Sequence, residues 1–159
     1  MDLRELLSLN GGVYTLIIWL PKFLKANIGS LGLIDFNIGI YTYTGSALGG
    51  KFALYNRVSR HLSQNKRLRW HIDYFLSGGN TEIKAVCVSR SNVKFECKVS
   101  NGIIFKLNGI PIHRFGSTDC NCLSHLHYFG IVDCLVISNN IYNLYFNLGL
   151  NPILILLNH

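Results

Sequence analysis

From Gly12 to Leu20 the chain reads GVYTLIIWL, a run with almost no polar side chain and many β-branched and aromatic ones. Such a run is what a central strand buried on both faces requires. Pro21 closes it, and the segment to Asn37, with Gly29 and Gly32 among short apolar pieces, predicts a loop or hairpin inserted before the next strand. That strand runs from Gly39 to Gly45 and ends in GSALGG, whose small residues permit a tight turn and a close backbone approach to a ligand, with Gly45 and Ser46 as the candidates. Between Phe52 and Ser63 the spacing of Leu54, Val58 and Leu62 is that of one helix face, while Arg57 and His61 lie one turn apart on another.

RLRWHIDYFL alternates, with Trp70, Ile72, Tyr74 and Leu76 on one side and Arg69, His71, Asp73 and Phe75 on the other, which predicts a strand. His71 and Asp73 then share its polar face, as a pair able to hydrogen-bond or to ligate a metal jointly. Ser77–Asn80 reads as a turn and 84–89 as a weaker strand. Ser91 is suited to cap a helix running to about Val99, where Asn101 and Gly102 would stop it, with Glu96 mid-helix. Residues 131–137 predict a strand, and Ile141, Leu144, Tyr145 and Leu148 a helix ended by Gly149. The order of elements predicts an α/β or α+β domain, a small mixed or antiparallel sheet flanked by helices.

Composition narrows the setting. The chain has 159 residues, 49% of them hydrophobic, enough for one self-sufficient core. No linker or repeat divides it. The formal charge of +7 arises from 15 Lys and Arg against 8 Asp and Glu, a balance that points to a polyanionic partner. Lys51, Arg57, Arg60, Lys66, Arg67 and Arg69 follow one another with no acid between, and His61 lies among them. The start, MDLRELLSLNGG, lacks the basic opening and cleavage site of a secretory signal, and the apolar runs are too short or too broken to cross a bilayer. The expectation is a soluble cytoplasmic protein with no membrane partner. Five scattered cysteines fit a reducing compartment better than a secreted disulfide framework.

Six short motifs in order, GVYTL (12–16), YTGSALGG (43–50), RVSRHL (57–62), RWHIDYFL (69–76), FEC (95–97) and STDCNCLSHLHYF (117–129), resemble a branch of the GIY-YIG nuclease superfamily. That branch, domain of unknown function 123-like, consists of small archaeal and bacterial proteins, some of them fused to DNA repair enzymes. The resemblance implies a nuclease domain over 1–130, with 131–159 a C-terminal extension packed on it. It also implies that two motif tyrosines sit on neighbouring strands: Tyr14 of the first motif and Tyr43 of the second. The letters G-I-Y at 39–41 are then a decoy, and Tyr41 belongs to the core or to a groove wall.

Cleaving a phosphodiester needs an activated water, a divalent cation and a fixed cation near the scissile phosphate. By resemblance, Glu96 is the protein ligand of one Mg²⁺ or Mn²⁺ and Arg57 the fixed cation, whose planar fork suits a phosphate. Tyr14 would position or deprotonate the water, His61 would serve as an alternative base or orient that phenol, and Tyr43 would hold a phosphate or help fix the site. His71 and Asp73 are further candidates for catalysis or orientation. Gly45, Ser46, Lys51, Arg60, Lys66, Arg67 and Arg69 would contact the substrate, DNA, and a second copy or a repair protein remains open as partner. The expected activity is metal-dependent endonucleolytic hydrolysis leaving a 5′-phosphate and a 3′-hydroxyl, directed by DNA structure or a lesion. The alternative is a non-catalytic nucleic-acid-binding module of the same fold. DCNCLSH also invites a zinc reading, with Cys120, Cys122 and His125 joined by Cys97 or His127. Its Cys-x-Cys spacing is unusual for zinc, and a structural loop against the active site is the plainer expectation.

Overall fold

The computed structural model describes residues 11–157. The N-terminal segment inspected for leader features lies, up to Asn10, outside those residues. In chain order the elements are β1 (Gly12–Leu20), β2 (Leu24–Asn27), β3 (Leu33–Phe36), β4 (Gly39–Ala47), α1 (Ala53–Leu62), α2 (His71–Gly78), β5 (Glu82–Arg90), α3 (Glu96–Leu107), β6 (Ile110–Pro111), β7 (Leu126–Gly130), α4 (Cys134–Asn147) and β8 (Ile153–Leu156). Six strands form one antiparallel sheet in the order β6-β7-β4-β1-β5-β8, and β2 with β3 forms a separate hairpin. This is an α+β fold.

The central position of β1, between β4 and β5, explains its run of apolar residues: both faces are covered. On one face Leu16, Ile18 and Tyr43 pack with Leu54 and Val58 of α1, Ile72 and Phe75 of α2, and Phe115. On the other, Val13 and Ile17 pack with Val99 and Ile103 of α3 and with Ile137, Ile141 and Tyr145 of α4. The sheet is thus the middle of three layers. Two of its buried hydroxyls are paired: Thr15 Oγ1 meets Thr44 Oγ1 at 2.9 Å and Tyr145 Oη at 2.7 Å, which ties α4 to β1 and β4. Tyr41 lies in the first core cluster against Phe36, Phe75 and Tyr128, its hydroxyl donating to the Asn37 carbonyl at 2.7 Å.

Three elements differ from the sequence reading. Residues 71–78 form a helix, not a strand. Alternation over so few positions is ambiguous, and Phe75, assigned to the polar side of a strand, is fully buried one turn from Ile72. Asp73 starts this helix by accepting from the backbone N–H groups of Trp70 and Arg69, both at 2.9 Å. Residues 131–133 are irregular and α4 begins at Cys134, because the Asp133 carboxylate accepts from Leu135 N at 2.9 Å and caps it. The helix expected over 91–99 is displaced to 96–107, since Ser91 closes a local turn with Val93. Gly102 lies inside it without ending it. A Cβ there would stand 2.6 Å from Leu144 Cδ1, so the glycine lets α3 and α4 approach closely. The turn comes instead at Asn108, in the left-handed region at φ 59°.

Among the described residues no helix is long and apolar enough to cross a membrane.

Candidate active site

β1 and β4 run side by side with Tyr14 opposite Gly45 and Leu16 opposite Tyr43. Because side chains alternate, Tyr14 and Tyr43 fall on the same face of neighbouring strands, the face that carries α1 and α2. Gly45 is glycine for a steric reason: a Cβ there would lie 2.5 Å from Tyr14 Oη. The phenol is laid across the bare backbone of its partner strand.

α1 brings two groups to this face. The His61 ring meets Tyr14 Oη through Nε2 at 2.7 Å, and is itself 2% exposed. Burial drives its pKa down to about 3, helped by the charge of Lys66, so the ring is neutral at neutral pH. In the tautomer that carries its proton on Nδ1 the phenol donates to Nε2, and in the other Nε2 donates to the phenol oxygen. Arg57, one turn earlier, sends Nη1 to the Ser46 carbonyl at 3.4 Å and stacks its guanidinium 4.5 Å above the Trp70 ring. Burial raises the Tyr14 phenol well above the usual value and raises Tyr43 too, while Arg57 pulls both back toward ionisation.

The fourth contributor is α3. Glu96 is its first residue, not a mid-helix one, and its carboxylate accepts a hydrogen bond from Ser46 Oγ. A carboxylate there also meets the positive end of the helix dipole. Tyr14, Tyr43, Arg57 and Glu96 converge, from β1, β4, α1 and α3, on one open cavity of about 350 Å³ that Gly45 and Ser46 also line. A concave pocket with a few convergent polar groups is the usual form of a ligand site.

A sequence model for one family, domain of unknown function DUF123, matches residues 13–144, most of the chain. The protein belongs to the DUF123 family. Comparison with curated proteins and with solved structures returned no match.

Several residues singled out from the DUF123 sequence lie away from the cavity. Arg60 is bound through both terminal nitrogens to the buried Asp73 carboxylate, at 2.7 and 2.9 Å, and Lys66 donates to the His61 carbonyl at 2.7 Å. Asp73 therefore caps α2 and anchors Arg60, and these partners hold its carboxyl below the usual range against the opposing effect of burial. His71 accepts from Gly116 N at 2.9 Å and stands 3.4 Å from Ser30 Oγ. It shares no ligand position with Asp73, because residues two apart on a helix do not face each other. Lys51, Arg67 and Arg69 are exposed, Arg69 extending the basic surface over Trp70 at 5.8 Å.

Conversely, the cavity is lined by Trp70, Lys94 and Asp119, none of which the sequence reading placed there. Lys94 lies two residues before Glu96, and Asp119 sits inside STDCNC, where the cysteines drew the reading toward metal chemistry. Next to the cavity, Cys97, Cys120, Cys122 and His125 bring their ligand atoms within 4.8 Å of one another and could hold a metal ion. Cys97 and Cys122 are drawn together as a disulfide, with Cα atoms 5.8 Å apart. His127, the other fourth ligand considered, is fully buried elsewhere, and among the described residues neither of its ring nitrogens has a hydrogen-bond partner.

Proposed function

We propose that this DUF123 protein is a GIY-YIG-type endonuclease that hydrolyses DNA phosphodiester bonds with Mg²⁺ or Mn²⁺, leaving a 5′-phosphate and a 3′-hydroxyl, in structure- or lesion-directed DNA repair. The observation that carries this reading is the convergence of Tyr14, Tyr43, Arg57 and Glu96 on one cavity from four separate elements. A binding module has no need of a carboxylate set among cations.

The carboxylates suit the metal. Glu96 and Asp119 line the same open cavity, and Mg²⁺ is bound by one or two carboxylates with water and phosphate completing its shell. Glu96 would hold the ion, which when bound supplies positive charge that stabilises the phosphoryl oxygens and acidifies water. The Cys and His cluster next door is too soft a donor set for either cation.

The chain's own groups account for the remaining needs. Arg57 is the fixed cation: its stacking on Trp70 and its bond to the Ser46 carbonyl hold the guanidinium at the cavity wall. Tyr14 positions the attacking water; to take its proton the phenol must first lose its own to solvent, an ionisation that burial opposes and that Arg57 favours. His61 is the positioning residue, since a ring with a pKa near 3 accepts a hydrogen bond readily but stores a proton poorly. Tyr43 hydrogen-bonds a phosphate oxygen. Exposed Lys51, Arg67 and Arg69 contribute backbone affinity that falls with salt, with little base preference.

The test is nicking of supercoiled plasmid, with short duplexes bearing uracil, an abasic site or a flap, with and without Mg²⁺ or Mn²⁺. The expected result is metal-dependent cleavage lost in Arg57→Ala and Glu96→Gln. Salt-dependent DNA binding with no cleavage of any of these substrates would overturn the reading in favour of a binding module.

A further inference from the structure

We propose that Cys97, Cys120, Cys122 and His125 form a tetrahedral zinc site, separate from the cavity metal, that fastens the loop over 112–125 to the start of α3. Between β6 and β7 the chain runs from 112 to 125 without helix or strand, yet it supplies Gly116, Asp119 and His125 to the cavity wall. A segment this long and irregular holds one shape only when something clips it. Its N-terminal half is held by backbone bonds from Arg114 N to Leu123 O and from His125 N to Phe115 O, both at 2.8 Å. Those bonds close the loop on itself, Gly116 N to His71 Nδ1 at 2.9 Å and Thr44 N to His125 O at 3.0 Å join it to α2 and β4, and the sulfurs tie it to α3.

The distances suit a shared metal. Cys120 Sγ is 3.6 Å from His125 Nε2 and Cys97 Sγ is 3.9 Å from the same nitrogen, distances that sulfur hydrogen bonds and a shared metal both allow. Two ligands of one tetrahedral zinc, at Zn–S of about 2.3 Å and Zn–N of about 2.0 Å, stand about 3.5 Å apart. All four donor atoms lie within 4.8 Å of one another, so a single ion reaches every one once a thiol or phosphine reductant has supplied the two electrons and two protons that convert the Cys97–Cys122 disulfide to two thiols. Three thiolates and an imidazole are a closed structural set for zinc, with no position left for water.

The sequence spacing is then explained. Cys120-x-Cys122 is too short to make two ordinary knuckle ligands from one loop, but the fourth ligand comes from α3, one residue after Glu96. As zinc binds, each of the three thiols gives up its proton to solvent and His125 binds through neutral Nε2. The site would hold Glu96 and Asp119 on one rigid wall.

The experiment uses the full chain, expressed with added zinc and purified in a non-chelating phosphine reductant, with metal measured by plasma mass spectrometry. The expected result is one zinc per chain. Replacement by Co²⁺ should give the intense visible bands of a tetrahedral centre with thiolate-to-cobalt charge transfer. Cys120→Ser and His125→Ala should weaken zinc more than about a hundredfold in competition with a chromophoric chelator, beyond what loss of a merely supporting group costs. Cys134→Ser, which touches none of the four, should leave it unchanged. A reduced chain that takes up neither zinc nor tetrahedral cobalt, or that keeps Cys97 bonded to Cys122 in reductant, would overturn the proposal. So would undiminished zinc affinity in Cys120→Ser and His125→Ala. The cobalt spectrum of the wild type decides the matter even if those variants fail to fold, and none of these readouts depends on nuclease activity.

Discussion

Gly45→Ala is the smallest change that should disturb the candidate site. The new Cβ would lie 2.5 Å from Tyr14 Oη, 2.7 Å from Cζ and 3.1 Å from Cε1, where ordinary contact begins at 3.4 Å. The phenol must therefore move by about 1 Å, and it has little room, being 1% exposed and hydrogen-bonded to buried His61. Overpacking of this kind costs about 1–3 kcal/mol, which for a chain of this size lowers the melting temperature by roughly 2–12 °C. A displacement of that size in a positioned catalytic group costs about 100-fold in rate. Calorimetry and the plasmid-nicking assay read the two effects separately. A double-mutant cycle with Tyr14→Ala isolates the cause, because removing the ring should remove most of the penalty for the added methyl group. Wild-type stability together with wild-type nicking in Gly45→Ala would refute the steric account of this glycine.

Asp73→Ala removes the cap of α2 and leaves the Arg60 guanidinium without its partner, and should destabilise the protein by about 2–4 kcal/mol in urea unfolding. Because the folded carboxyl titrates below its usual value, that contribution is complete above about pH 4 and is lost as pH falls through the folded value. His61 and His127 behave oppositely to a paired histidine. Folding lowers each from 6.5 to about 3, so the unfolded chain binds more protons between those values and stability falls as pH drops through that window. The slope is up to about 1.4 kcal/mol per pH unit for each ring, measurable by urea titration from neutral pH to about 4.5 and reduced in His127→Leu. A pH-independent urea midpoint would count against the burial of both rings. Gly102→Ala should destabilise despite alanine's higher helix propensity, because its Cβ meets Leu144, and the loss should shrink in a Leu144→Ala background.

Much of the site is legible as residues and little of it as a place. GVYTL and YTGSALGG identify Tyr14 and Tyr43 as strand residues, and a four-residue interval sets Arg57 and His61 on one helix face, because those periodicities are properties of the local backbone. The error over 69–76 shows where that logic ends. Apolar and polar residues that alternate also satisfy a two-turn helix, and the choice was made by Phe75 entering the core and by Arg60, from another helix, meeting Asp73. Gly102 misled in the same way, since its packing against Leu144 is invisible until α3 and α4 are side by side.

The sequence by itself determined the central strand β1, the strand and glycine turn of β4, the basic face of α1 and the supply of cysteines and histidines. All of these follow from residue type and spacing over a few positions. Only the tertiary structure decided that β1 pairs with β4 in the register that lays Tyr14 across Gly45, and that Glu96 opens its helix beside Ser46. It alone chose Cys97 over His127 to join Cys120, Cys122 and His125, more than twenty residues away. Strand order and register depend on how every apolar face is covered at once, so they cannot be read from any one segment. The neutrality of His61 has the same origin: desolvation by distant residues sets its charge, and no local pattern carries that information.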